Sequence, residues 1–333
     1  MKLLAAVCIL LCAAALLAQT SPPPQPKPSP HPRTAAARVD LHPRFAPGQV
    51  LRYKIEVETT TEGGSSGVVQ DSAASGRLVV TWDATVRIEV LAPEAGSNAA
   101  MRLRTTYEKS SATVHSDSYD PATDAVVDQY KRLEGRVVEF VLDAQGKVTS
   151  VVGLGDLLND PKAVNDAKQW IEQLSSGPGG AGSPGRAGVM IGQQWSAEHP
   201  ADGLPLAGLV WRTTAAYLRN APCPRADTSP QQNSAPPSAE QCAVIATHLD
   251  LLPPKSHHPG ASDPLRARGV KAAGTWTGSG ESTSYVSLRK GWVVSVSQTG
   301  TEKMDVTLTS EHEDSLRYVG TVRTRTILQL LPE

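Results

Sequence analysis

Histidine, cysteine, serine and carboxylate side chains carry most of the chemistry open to a protein, so their spacing comes first. The histidines are His31, His42, His115, His199, His248, His257, His258 and His312. No two have the spacing of HExxH, and none stands with cysteine at zinc-ligand spacing. His257 and His258 lie in a Pro/Gly stretch, and adjacent residues do not share a helix face. Glu311-His312-Glu313-Asp314 has charge enough for a cation but reads as a solvated turn between strands. His248, within Ala243 to Leu251, reads as a strand residue. Ser279 and Ser282 in Gly278-Ser279-Gly280-Glu281-Ser282 lack a strand-to-helix context, and that segment reads as a β-bulge or hairpin turn. Gly153-Leu154-Gly155 lacks the rest of a dinucleotide fingerprint, and the acidic spacing of Asp120 to Asp124 is explained by helix capping. No catalytic residue, cofactor or metal site is therefore expected. The alternative is a hydrolase of unfamiliar type using Glu139, Asp143 or Glu281, which lie near two similar hairpins.

Four cysteines are present. Cys8 and Cys12 fall in an N-terminal secretory signal with Lys2 as its positive region and Leu3 to Leu17 as its apolar run. The run is shorter than the roughly 20 residues that span a bilayer, so cleavage after Ala18 is expected rather than a membrane anchor. Nothing later is long or apolar enough to cross a membrane. Cys223 and Cys242 then remain as an even pair in an exported chain, and one disulfide is expected between them.

Phe occurs twice only, so Val, Leu, Ala, Trp and Tyr must supply most of the core. Trp82, Trp195, Trp211, Trp276 and Trp292 lie on or beside expected strands, where core packing is the ordinary role. If the sheet is curved, Trp82, Trp211, Trp276 and Trp292 could line a cavity for an apolar ligand. Charge is nearly balanced, with 32 Lys and Arg against 33 Asp and Glu. A nucleic-acid partner is not expected, since phosphate neutralisation needs a basic face.

The elements that must position these residues are mostly strands. Ser21 to Arg33 is Pro-rich and reads as a semi-rigid tether, with residues 19–43 as the whole unfolded lead. From Gln49 to Thr61, Leu51, Tyr53, Ile55 and Val57 alternate with polar residues, which is strand periodicity with one buried face. Gly63 to Gly67 reads as a flexible loop. Arg77 to Leu91 and Ala100 to Val114 complete an antiparallel meander. Two Asp-Pro starts, at Asp120 and Asp160, open helices with apolar stripes at Val126, Val127, Tyr130 and Leu133 and at Val164, Ala167, Ile171 and Leu174. Between them, Arg136 to Val151 reads as a hairpin turning at Gln145-Gly146. Residues 177–188 form a Gly/Pro/Ser linker. The second half, 189–333, reads as further strands around the disulfide loop.

The hairpin has an echo in Tyr285 to Val296, aligning Phe140 with Tyr285 and Gly146 with Gly291. Gly192-Gln193 likewise echoes Gly48-Gln49. Either the halves, 44–176 and 189–333, are duplicates or Val-rich hairpins have converged.

The segments FVLDAQGKVTSVVG, VMIGQQWS and YVSLRKGWVVSVS resemble a family of secreted bacterial proteins known as a domain of unknown function. The resemblance spans roughly Phe45 to Leu331. It implies an exported, β-rich envelope protein and brings no catalytic residues. The element order is also similar to the half-barrel of bacterial lipoprotein carriers, in which a curved sheet wraps helices around an apolar cavity. The expected fold is thus mainly β, a curved antiparallel sheet or half-barrel with two helices. The expected function is non-enzymatic binding of a lipid-like ligand or an envelope component, in the periplasm or outside the cell; a purely structural scaffold is the further alternative.

Overall fold

The computed structural model describes residues 38–67, 70–92, 101–117, 122–144, 146–153, 168, 170–172, 174–175, 188–201, 203–224, 240–253, 260–312 and 314–332. Of residues 70–75 and 122–125 only the backbone is described. The expected signal, most of the tether and nearly all of the linker lie outside these residues.

Eleven strands form one antiparallel sheet: β1 (Val50–Gly67), β2 (Gln70–Leu91), β3 (Met101–Ser116), β4 (Val137–Leu142), β5 (Val148–Val152), β6 (Gln194–Pro200), β7 (Val210–Pro222), β8 (Gln241–Leu252), β9 (Lys271–Ser287), β10 (Val293–Thr309) and β11 (Ser315–Leu330). Their order is β5-β4-β3-β2-β1-β11-β10-β9-β8-β7-β6. The first half meanders outward from β1 to the edge at β5. The second begins at the opposite edge, β6, and meanders inward to β11. The halves join where β1 pairs with β11, from Tyr53 opposite Leu330 to Gly67 opposite Leu316 without a register shift. The sheet is therefore continuous and open, with β5 and β6 as its edges.

Helix α1 (Ala122–Lys131) follows β3 and is stopped by Gly135, whose φ of 76° a residue with a side chain resists. Residues 168, 170–172, 174 and 175 are helical. They bury Ile171 and Leu174 against the first half, as their spacing predicts. A third helix, α2 (Asp263–Arg266), is an addition. Ser262-Asp263-Pro264 places Pro in its first turn, the same start signal in a shorter segment.

Two expectations are corrected. Gly63 to Gly67 is strand rather than loop, paired on both sides with β2 and β11. Gly278 to Ser282 is unbroken strand rather than bulge or turn. Glycine weakens a strand by entropy, but here it lets neighbouring backbones close in: a Cβ on Gly63 would stand 2.3 Å from the Val319 carbonyl oxygen.

The two hairpins carry the same kind of register shift, in an alignment that differs by one residue from the sequence echo. Leu142 faces Val148 and Val141 faces Ser150, with a register shift between. Val286 faces Val293 and Tyr285 faces Ser295, with the same shift. Val141, not Phe140, is thus the counterpart of Tyr285. The glycine turns also match. Gly48 (φ 85°) donates to the Val90 carbonyl at 2.8 Å, and Gly192 (φ 84°) donates to that of Tyr217 at 2.7 Å. The Ala46 N–H donates to Gln49 Oε1 at 3.0 Å, and the Met190 N–H to Gln193 Oε1 at 3.1 Å.

Three apolar clusters pack against the sheet. The first joins β1–β4, α1 and the helical residues near 171, and includes Tyr53, Val86, Leu103, Phe140 and Trp292. The second lies between the 201–209 segment, α2 and the far ends of β8–β10. The third buries Leu41 and Val189 against Ala215, Tyr217, Ile245 and Val286. There the start of the described chain is strapped down by paired bonds of 2.8 Å between Val39 and Val189.

Candidate functional site

Strand alternation and register decide which side chains share a face. On β1, Leu51, Tyr53 and Ile55 are buried, so the odd positions point inward. Ile55 pairs with Leu328 and Ala84, and Leu328 with Val296, which carries the inward face to the even positions of β11, β2 and β10. Met304 opposite Trp276 carries it to the even positions of β9. The outward positions of β1 include Arg52, Lys54, Glu56, Glu58 and Glu62, so the sheet is amphipathic across its thickness.

The inward face runs past the first cluster into a strip that is only partly covered. Leu78, Val80, Val114, Val322 and Met304 are half-buried there, and Leu316 and Tyr318 are each 38% exposed. Thr59, Thr61 and Thr324 separate them. These residues sit on the ends of long strands (β1 has 18 residues, β2 has 22) that outrun the first cluster.

The four tryptophans occupy two places. Trp82 packs on Tyr130 with ring centroids 5.3 Å apart and donates from Nε1 to Ser110 Oγ at 3.0 Å. Trp292 is buried in the first cluster under the Lys290 ammonium, 4.2 Å from its ring centroid. Trp211 and Trp276 flank the second cluster. Trp276 donates from Nε1 to Glu302 Oε2 at 2.9 Å. The rim of Trp211 lies over Gly278, where a Cβ would stand 2.8 Å from Cη2.

The three carboxylates proposed for hydrolysis are not brought together. Glu139 is on β4 and Glu281 on β9, with five strands between them. Glu139 accepts from Arg102 at 2.7 Å and from Arg104 at 3.0 Å, and these two guanidiniums hold its carboxyl below the ordinary glutamate value. A general acid at neutral pH needs the opposite shift. Asp143 accepts from the Lys147 N–H at 2.9 Å and serves the hairpin turn. Glu281 borders an open groove of about 540 Å³ on the outward face of the second half, beside Gln194, Thr214, His248 and Thr299. There the His248 ring faces Asp250 at 3.1 Å and Glu281 at 4.0 Å, and all three side chains are well exposed, so solvent screens them.

Gly63-Gly64-Ser65-Ser66-Gly67 has the spelling GxSxG, which a loop reading passes over. Its place inside a paired strand is not the strand-to-helix turn that exposes a nucleophilic serine. His42 bonds Asp40 at 2.9 Å, and the His312 N–H donates to Ser310. Among the described residues no group of three or more His, Cys, Asp or Glu is placed to hold a metal ion. His31, His257 and His258 lie outside them. Cys223 and Cys242 form the expected disulfide. No helix among the described residues is long and apolar enough to cross a membrane.

Glu302 and the half-covered strip escape a motif search. Their only signal is alternation within β2, β3, β10 and β11, which shows a face without showing what lies opposite. No protein-family model and no curated protein matches the chain. Among solved structures the chain is similar to lipovitellin, in a structure described by its lipid–protein interactions, at 12% identity and a TM-score of 0.43. The match covers 87% of this chain and 26% of the lipovitellin chain.

Proposed function

We propose that this protein is an exported, non-enzymatic binder that holds an apolar or amphipathic molecule against the inward face of its sheet. The observation that carries this reading is the half-covered strip of Leu78, Val80, Val114, Val322 and Tyr318. Apolar surface of this kind on otherwise charged strands is a binding face or a liability to aggregation. The disulfide supports export, because such bonds persist in oxidising compartments. The matched glycine turns and bulged hairpins support descent of the two halves from one meander, with 44–176 and 189–333 as the copies.

Native mass spectrometry of gently purified protein, with titration of the neutral fluorescent probe N-phenyl-1-naphthylamine, tests the reading. A co-purifying small molecule and saturable probe binding are expected. Val80→Asp, at the middle of the strip, abolishes probe binding while leaving the melting temperature close to that of the parent. A protein that carries no small molecule and does not bind the probe is not a carrier of this kind.

A further inference from the structure

Charge is segregated across β1, β2, β9, β10 and β11 with one exception, while on the edge strand β6 His199 stands at an inward position opposite Trp211. Among the described inward positions of β1, β2, β9, β10 and β11, Glu302 is the single Asp, Glu, Lys, Arg or His. Its neighbours at inward positions are Gly278 on β9 and Val322 on β11. It is half-buried and accepts the Trp276 indole N–H at 2.9 Å, and it makes no ion pair among the described residues. A carboxylate turned toward an apolar face, with a neutral donor as its partner, keeps an uncompensated negative charge.

Two indoles stand beside that charge. Trp276 is bonded to it, and Trp211 reaches across Gly278, whose missing Cβ makes room both for the Trp211 rim and for the Glu302 Cγ, 3.3 Å from where a Cβ would be. Both rings are half-buried, so part of each remains accessible. A carboxylate beside tryptophan rings has the chemistry that recognises alkylated ammonium groups: the ring quadrupole and the carboxylate both attract a cation that donates few hydrogen bonds. Val322, the cross-strand neighbour of Glu302, begins the half-covered strip, so a chain attached to that cation has apolar surface to follow.

We infer that Trp211, Trp276 and Glu302 form the headgroup site of the carrier, and that its ligand is an amphiphile with an alkylated ammonium head. The inference rests on the carrier reading and adds the sign of the ligand's charge.

The full chain is titrated calorimetrically, below micelle formation, with dodecyltrimethylammonium and with dodecanoate, which pair a similar chain with opposite charge. The cation is expected to bind roughly tenfold tighter or more. Glu302→Gln keeps an acceptor for the Trp276 indole. It is expected to remove this preference with the melting temperature unchanged. Trp211→Leu is expected to weaken the cation selectively as well. Choline alone is expected to bind far more weakly than dodecyltrimethylammonium, and equal affinity would mean a free-cation site and overturn the lipid assignment. Equal binding of the two amphiphiles by the parent chain overturns the headgroup site whatever the variants do. If naphthylamine still binds in that case, the carrier reading survives; if it does not, that reading falls as well.

Discussion

At the scale of single residues, buried polar groups are where the fold can be tested most sharply. Tyr53 is buried and its hydroxyl donates to the Val293 carbonyl at 2.8 Å, tying β1 to the start of β10. Burial also pushes the phenol well above its ordinary value, so it stays a donor throughout the useful pH range. Tyr53→Phe leaves that carbonyl without its partner and is expected to cost about 1–2 kcal/mol in urea unfolding; an unchanged midpoint would show the bond to be dispensable. Glu139 offers a pH test. Arg102 and then Arg104 depress its folded value below 4.5, so its contribution is present above that pH and is lost as pH falls through the depressed value. The parent protein should lose stability on acidification below pH 4.5, and Glu139→Gln should lose less of it. Parallel melting-temperature profiles for the two proteins would refute this assignment. Glu139 was legible as a candidate from its place near a hairpin. Its pairing with two arginines of β3 was not, because that depends on register between strands.

At the scale of elements, two kinds of glycine make different demands. Gly48 has a positive φ and no atom within 4 Å of where its Cβ would be, so Gly48→Ala costs only backbone strain, about 1 kcal/mol. Gly63 has no such φ, yet its Cβ would meet the Val319 oxygen at 2.3 Å. Gly63→Ala must push β1 and β11 apart and is expected to cost about 2–3 kcal/mol. Chemical denaturation of the two variants orders them, and a milder effect at Gly63 would contradict the close approach. Composition alone reads both positions as turn formers. Gly48 follows a proline in a true turn, so the local rule holds there. Gly63 lies between two paired strands, and only its neighbours reveal what the glycine is for.

At the scale of the whole molecule, the β1–β11 seam makes one sheet of two halves. Fifteen residue pairs run along it without a break, joining positions as far apart in sequence as Tyr53 and Leu330. Non-local pairing of this extent folds slowly and unfolds as a unit. A single calorimetric transition is expected, with calorimetric and van't Hoff enthalpies in agreement. Two resolved transitions would mean that the halves are separate folding units and that the seam is weak. The join also explains the half-covered strip, which spans strands of both halves.

What the sequence determined by itself is the identity of most elements. Alternation at Leu51, Tyr53 and Ile55, the helical spacing that buries Ile171 and Leu174, and the glycine hairpin at Gly146 are local patterns written within a few residues. It also pointed to the disulfide, because the two cysteines outside the expected signal leave one pairing. What only the tertiary structure decided is which strands are neighbours and in what register. Eleven strands with similar alternation can pair in many ways, and burial of one face does not choose among them. The meeting of Trp276 with Glu302, 26 residues apart, follows from that choice alone. So does the half-covered strip beside them, because it takes the whole sheet to show where the packed clusters stop.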